Sequence, residues 1–168
     1  HDAGADLKNV EFFHFKTNRG WTRDSGPAFI VNDNETALVN FNFNAWAKYS
    51  NYRKDDKLPE FIADEFGIKK FNAVHKGKHV VIEGGSIDTN GKGTLITTEE
   101  CLMDAEIQVR NPGFTKEDYS EIFKKYLGIT NVFWLGKGIA GDDTHGHVDD
   151  LCRFVNSSTV VIVSEKNS

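Results

Sequence analysis

Between Gly141 and Asp150 the chain places four carboxylates and two imidazoles in ten residues: Asp142, Asp143, His145, His147, Asp149 and Asp150. At neutral pH such a cluster repels itself unless a cation or a metal ion sits among its members. A fully solvated loop would also relieve the repulsion. The flanks argue against one, because Ile139 and Ala140 precede the cluster and Leu151, Phe154 and Val155 follow it. In an extended stretch His145, His147 and Asp149 would share one face.

Two shorter constellations stand upstream. The first is Trp21-Thr22-Arg23-Asp24-Ser25-Gly26-Pro27, where Arg23 and Asp24 are adjacent and their side chains should diverge. Taken alone, Asp-Ser-Gly-Pro is sound turn chemistry and requires no function. The second is Ile82-Glu83-Gly84-Gly85-Ser86, a carboxylate at the end of an apolar stretch, followed by two glycines. Strand ends with unhindered backbone are favoured ligand sites in α/β proteins, although a plain strand exit also uses Gly-Gly.

The elements that must position these groups follow from patterning. Leu58 to Phe66 reads as a short helix, with Pro59 in its first turn and Gly67 as its stop. Thr115 to Leu127 is the clearest helix: Thr115 can cap it, Asp118 lies three residues on, and Tyr119, Ile122, Phe123 and Tyr126 form the apolar stripe before Gly128. Pro27 to Asn32 and Thr36 to Phe43 bracket a turn and predict a hairpin, with Val39, Phe41 and Phe43 on one face of its second strand. Further strands are expected at Asn9–Lys16, Lys78–Glu83, Gly93–Thr98, Asn131–Leu135 and Thr159–Val163. The order is a mixed α/β pattern with hairpins rather than a regular parallel sheet. Similarity between the units is too weak to mark repeats.

Composition bounds the function. A chain of 168 residues fits one domain with a real core, and thirteen Phe and three Trp supply the burial that disorder lacks. A net charge of -5 without a basic run excludes a nucleic-acid footprint, and no apolar run is long enough to span a membrane. The two cysteines, Cys101 and Cys152, make no disulfide framework, so a reducing, cytoplasmic setting is expected. The first residue is His1 rather than Met, which reads as an internal start.

Two resemblances compete for the histidine loop. His145-x-His147-x-Asp149 resembles the H-x-H-x-D-H signature of metallo-β-lactamase-fold zinc hydrolases, with Asp150 standing where that signature has histidine. The ordered set of all three motifs resembles the agmatine deiminase family of the guanidine-modifying superfamily, which also holds arginine and bacterial peptidylarginine deiminases. Its W-x-R-D-x-G-P, E-G-G-S and G-D-D-T-D-G-H-x-D stand here as WTRDSGP, EGGS and GDDTHGHVD. Thr97 to Leu102 and Arg110 to Pro112 are similar to family segments too. An ordered set is far more specific than any one motif.

That second resemblance implies roles by position. Asp24 and Asp149 would bind the guanidinium of a small cationic substrate such as agmatine, with Trp21 at the same pocket. His147 would be the general acid/base and Glu83 the carboxylate beside it. No metal or cofactor is implied. Two carboxylates can hold a planar guanidinium bidentately and leave its carbon open to attack. The implied reaction is agmatine plus water to N-carbamoylputrescine and ammonia; peptidylarginine or arginine substrates, and a non-catalytic guanidinium-binding module, are the alternatives.

The resemblance also has departures. His145 replaces an aspartate, Asn18-Arg19-Gly20 replaces an acidic lead-in, and the family's cysteine in a late G-N-x-H-C segment has no counterpart here. Residues 1–168 are therefore expected to be a single partial deiminase domain, lacking the start and the cysteine-bearing part. The implied fold is part of a five-bladed α/β propeller of ββαβ units, an incomplete ring, with a homo-oligomer expected for the complete protein.

Overall fold

The first hairpin turns on one side chain: Asn32 Oδ1 accepts the backbone N–H groups of Asn34 and Glu35, both at 2.9 Å. In the computed structural model, which describes residue 4 and residues 6–165, a short helix α1 (Thr22–Ser25) leads into this hairpin. His1 lies outside the described residues. Strand β1 (Ala28–Val31) pairs antiparallel with β2 (Thr36–Asn40), Ala28 opposite Val39. Helix α2 (Leu58–Phe66) starts with Pro in its first turn and stops at Gly67, whose φ of 62° a side chain would resist. It returns the chain to β3 (Lys69–Asn72), which lies parallel to β2.

The same pairing then recurs. After a two-residue ribbon, β4 (Val74–His75) with β5 (Lys78–His79), strand β6 (Ile87–Thr89) runs antiparallel to β7 (Thr94–Thr98). Helices α3 (Glu99–Met103) and α4 (Lys116–Leu127) follow, and β8 (Asn131–Leu135) lies parallel to β7. A third hairpin, β9 (Cys152–Asn156) with β10 (Thr159–Ile162), is antiparallel like the first two. The fold is thus a mixed α/β arrangement of small sheets, in which β1-β2-β3 and β6-β7-β8 share one strand order and pairing, with one α-helix before the last strand in the first and two in the second.

Helix α4 carries the cap its sequence predicts. Thr115 Oγ1 accepts from the Asp118 N–H at 3.3 Å, and Asp118 Oδ2 accepts from the Thr115 N–H at 2.9 Å. Its Tyr119, Ile122 and Phe123 are buried in the main core, against Val39 and Phe41 from the first unit and Leu95 from the second.

Three expected strands are corrected. Strand β2 ends at Asn40 rather than Phe43, because the Asn42 N–H turns to Val80 O at 2.8 Å and the Phe43 N–H to Asp56 Oδ1 at 2.8 Å. Asn9–Lys16 forms no strand among the described residues; instead Phe13 and Phe15 lay their rings on Phe66 and Phe61 of α2, at 5.1 and 4.8 Å. Aromatic anchoring of an irregular segment leaves the same apolar signature as a strand. Lys78–Glu83 is a strand only over its first two residues, followed by an isolated bridge between Asn42 and Val81. Beyond that the Asn111 side chain serves as the neighbour, accepting from the Val81 N–H at 2.9 Å and donating to Val81 O at 2.7 Å. No helix of the described residues is long and apolar enough to cross a membrane.

Candidate active site

Asp142 builds the loop that carries the histidine. Its Oδ2 accepts from Thr144 Oγ1 at 2.6 Å and from the Gly146 and His147 N–H groups at 3.0 Å, and its Oδ1 accepts from the Thr144 N–H at 2.8 Å. The crowded charges of this stretch are dispersed to separate partners. Asp143 pairs with Lys48 at 2.5 Å and accepts from Tyr49 Oη at 3.0 Å. His145 turns away to Asp104, with Nε2 2.8 Å from Oδ2.

The shared face expected for His145, His147 and Asp149 therefore does not form, because His145 sits at φ 64° and breaks the extended run. The zinc reading loses its ligand set with it. Among the described residues, the group with potential metal-ligand atoms all within 4.8 Å of one another is Glu83, Cys101 and His147. Arg110 already holds both Glu83 oxygens, at 3.1 and 3.3 Å, and burial keeps the Cys101 thiol protonated. A guanidinium on the carboxylate and a neutral thiol make a poor cage for a dication.

His147 is the centre of what the fold does gather. Its Nε2 lies 3.6 Å from Glu83 Oε2, and its Nδ1 lies 3.8 Å from Asp24 Oδ1 and 3.9 Å from Asp149 Oδ1. Glu83 is fully buried; Asp24 and His147 are buried; Asp149 reaches solvent. Asp24, Asp149, His147 and Trp21 line a cleft of about 450 Å³, with Trp21 exposed at its rim. All five residues singled out in the sequence thus lie at or directly behind one cleft.

Three titrations are tied together here. Burial pushes the Asp24 carboxyl up; the charge of His147 and the bonds from Trp46 and Gly85 oppose this without cancelling it. For Glu83, burial also works upward, but His147 and Arg110 together hold the carboxyl below its usual range. Burial alone would favour neutral His147, yet Glu83 and then Asp24 overcome it and raise the imidazole above its ordinary value. Folding therefore takes up a proton at His147. Its contribution to stability is full below the unfolded value of about 6.5 and is lost as pH rises through the higher folded value.

Sequence reading missed three contributors. Arg110 stands in the Arg110-Asn111-Pro112 segment and is buried against Glu83; it also donates to Gln108 O at 2.8 Å and to Thr144 O. Its pairing with Glu83 spans 27 residues, and no local pattern in the sequence announces it. Trp46 donates its Nε1–H to Asp24 Oδ2 at 3.0 Å, across 22 residues with no motif to link them. Gly85 donates its N–H to Asp24 Oδ1, also at 3.0 Å.

The two glycines after Glu83 are explained by close approach. A Cβ on Gly84 would meet Arg23 O at 2.1 Å, and one on Gly85 would meet His147 Nδ1 at 2.5 Å, Asp24 Oδ1 at 2.7 Å and Asp149 Oδ1 at 3.0 Å. Gly85→Ala is accordingly expected to spread the three side chains and destabilise the chain by about 1–3 kcal/mol, the usual range for overpacking. Urea unfolding of the variant checks the loss; a stability within about 0.5 kcal/mol of the parent would mean the cluster is loosely held.

A family model described as Porphyromonas-type peptidyl-arginine deiminase matches residues 1–168, the whole chain. The chain belongs to that family. An agmatine deiminase of Pseudomonas syringae pv. syringae is 38% identical over 167 residues, covering 95% of this chain and 43% of the relative. An agmatine deiminase of Ectopseudomonas mendocina is 36% identical over 166 residues, with the same coverage of 95% and 43%. Among solved structures, the agmatine deiminase of Enterococcus faecalis superposes with a TM-score of 0.80 at 33% identity, covering 91% of this chain and 42% of that one. A C. jejuni agmatine deiminase with substrate bound gives 0.78 at 34% identity, covering 92% and 45%. This peptidyl-arginine deiminase family member thus spans about 43% of the length of the curated relatives it matches.

Proposed function

We propose that the chain is the guanidinium-binding part of an agmatine deiminase, which hydrolyses agmatine to N-carbamoylputrescine and ammonia. One observation carries the reading: three carboxylates, Asp24, Glu83 and Asp149, stand within 3.6–3.9 Å of the His147 ring. Arg110 is the buried cation paired with Glu83, and Arg23 and Arg153 each come within 3.9 Å of Asp149 from the solvent side. The naming of the relatives as agmatine deiminases supports agmatine over arginine or arginyl peptides.

In this reading Asp24 and Asp149 grip the guanidinium through paired N–H···O bonds and fix its plane. A thiolate supplied by the complete protein attacks the guanidinium carbon, and His147 protonates the departing ammonia. His147 then takes a proton from water as the water attacks that carbon and releases the thiol. Glu83 orients the ring and favours its charged form. The two ββαβ units and the third hairpin are read as part of a five-bladed ring, with the complete protein a cytoplasmic homo-oligomer. The repeated strand pairing supports the ring, and the free thiols of Cys101 and Cys152 support a reducing compartment.

Titration calorimetry of the chain with agmatine, arginine and an arginyl peptide tests the reading. Agmatine is expected to bind, and its affinity to fall as pH is lowered. Protonation of Asp24 removes one anionic partner from above the ordinary carboxylate range, and protonation of His147 adds a competing cation. Both act in one direction. Removing Asp149 by Asp149→Ala should reduce affinity roughly tenfold or more, in line with a charged hydrogen-bonding partner lost. Heat from the arginyl peptide and none from agmatine would reassign the substrate; affinity indifferent to Asp149 would reject the site.

A further inference from the structure

Ala45, Trp46 and Ala47 adopt φ values of 53°, 60° and 52°, three successive non-glycine residues in the left-handed region. Side chains on L-residues resist this conformation, so the surroundings must impose it. Asn44 Oδ1 accepts the Ala47 N–H at 2.8 Å, and Ala45 O accepts the Lys48 N–H at 3.0 Å. Gln108 Nε2 donates to Trp46 O at 3.1 Å, and the Phe43 ring meets the indole edge-on at 5.4 Å.

The turn delivers the buried indole N–H to Asp24 Oδ2, while Gly85 occupies Oδ1. A phenylalanine could fill the same space against Phe43. The indole differs by one polar atom, and that atom is committed to a carboxylate of the cleft. We propose that Trp46 is a positioning residue for guanidinium recognition: the left-handed turn holds its N–H on Asp24 and so fixes the plane in which that carboxylate meets the substrate. The proposal rests on the guanidine-binding reading of Asp24. It implies that Trp46 works through Asp24 rather than on the reacting carbon.

Its test needs no ligand, which separates its failure from failure of that reading. The Trp46 indole ¹⁵N–¹H resonance and the Asp24 carboxyl ¹³C resonance are followed across pH in the 168-residue chain. Both are expected to move with one common midpoint. In Trp46→Phe, loss of a hydrogen bond to the charged form should raise the Asp24 midpoint by about one pH unit. An indole resonance indifferent to Asp24, or an Asp24 midpoint unchanged in a folded variant, overturns the proposal. Should Trp46→Phe fail to fold, the parent's indole titration decides alone. A chain that passes both arms yet binds no agmatine would overturn the guanidine reading, and with it the recognition role of Trp46, while leaving the Trp46–Asp24 coupling in place.

Discussion

Agmatine incubated with the 168-residue chain is expected to release ammonia at a rate within about a factor of ten of buffer, because the covalent step has no nucleophile. The chain's two thiols are free and buried. Cys101 is the closer, with Sγ inside the 4.8 Å group formed with Glu83 and His147, so proximity alone would nominate it. Its environment forbids the role. Burial, reinforced by the Glu83 charge, pushes the thiol far above its ordinary range, and a thiolate rather than a thiol attacks carbon. It also packs within the main core, and does not line the cleft. Orientation of the substrate by Asp24 and Asp149 cannot replace the missing bond-forming atom. The measurement is ammonia release by the parent, Cys101→Ser and Cys152→Ser. Turnover that vanishes with either substitution would identify the nucleophile inside this chain.

The second large effect falls on stability. Arg110→Met removes the guanidinium that holds Glu83, leaving a fully buried carboxylate beside His147 with no fixed cation. Breaking one side of a buried pair costs about 3–5 kcal/mol, whereas replacing both sides with apolar groups of similar volume costs far less. Arg110→Met should therefore lower the urea midpoint by roughly 2 M, taking a typical slope for a domain of this size. The double variant Glu83→Met/Arg110→Met should recover much of that loss while abolishing the cluster around His147. Tryptophan fluorescence through a urea series measures all three. A single variant as stable as the parent would show that Glu83 is neutral in the folded state.

What the sequence disclosed depended on whether a signal was local. The caps and stripe of α4, the Pro59 and Gly67 bounds of α2, and the pairing of the first hairpin are written within a few residues of where they act, and they stand as expected, although β2 ends at Asn40 short of Phe43. Asp24, Glu83, His147 and Asp149 were legible because each sits in a dense short motif. Trp46 and Arg110 were not, since each meets its partner across more than twenty residues with no motif linking the two. Strand β3, parallel to β2, was hidden too: Lys69, Lys70 and Asn72 make an edge strand whose polarity resembles a loop. The extended run through His145 failed for a backbone reason, the left-handed φ at that residue.

The site groups share a position that the repeated topology makes visible. Asp24 lies four residues before β1, Gly85 two before β6, and Asp149 three before β9. Each hairpin thus offers its polar groups from the lead-in to its own first strand, and the three lead-ins converge. None of the hairpins owns the cleft. A cation gripped by Asp24 and Asp149 at once would act as a rivet between the first unit and the third hairpin, so occupancy and docking of these parts form one linked equilibrium. Ligand would then resist shear between units whose strands lie in separate sheets, and a slip of one lead-in past another would empty the cleft before any strand had come apart.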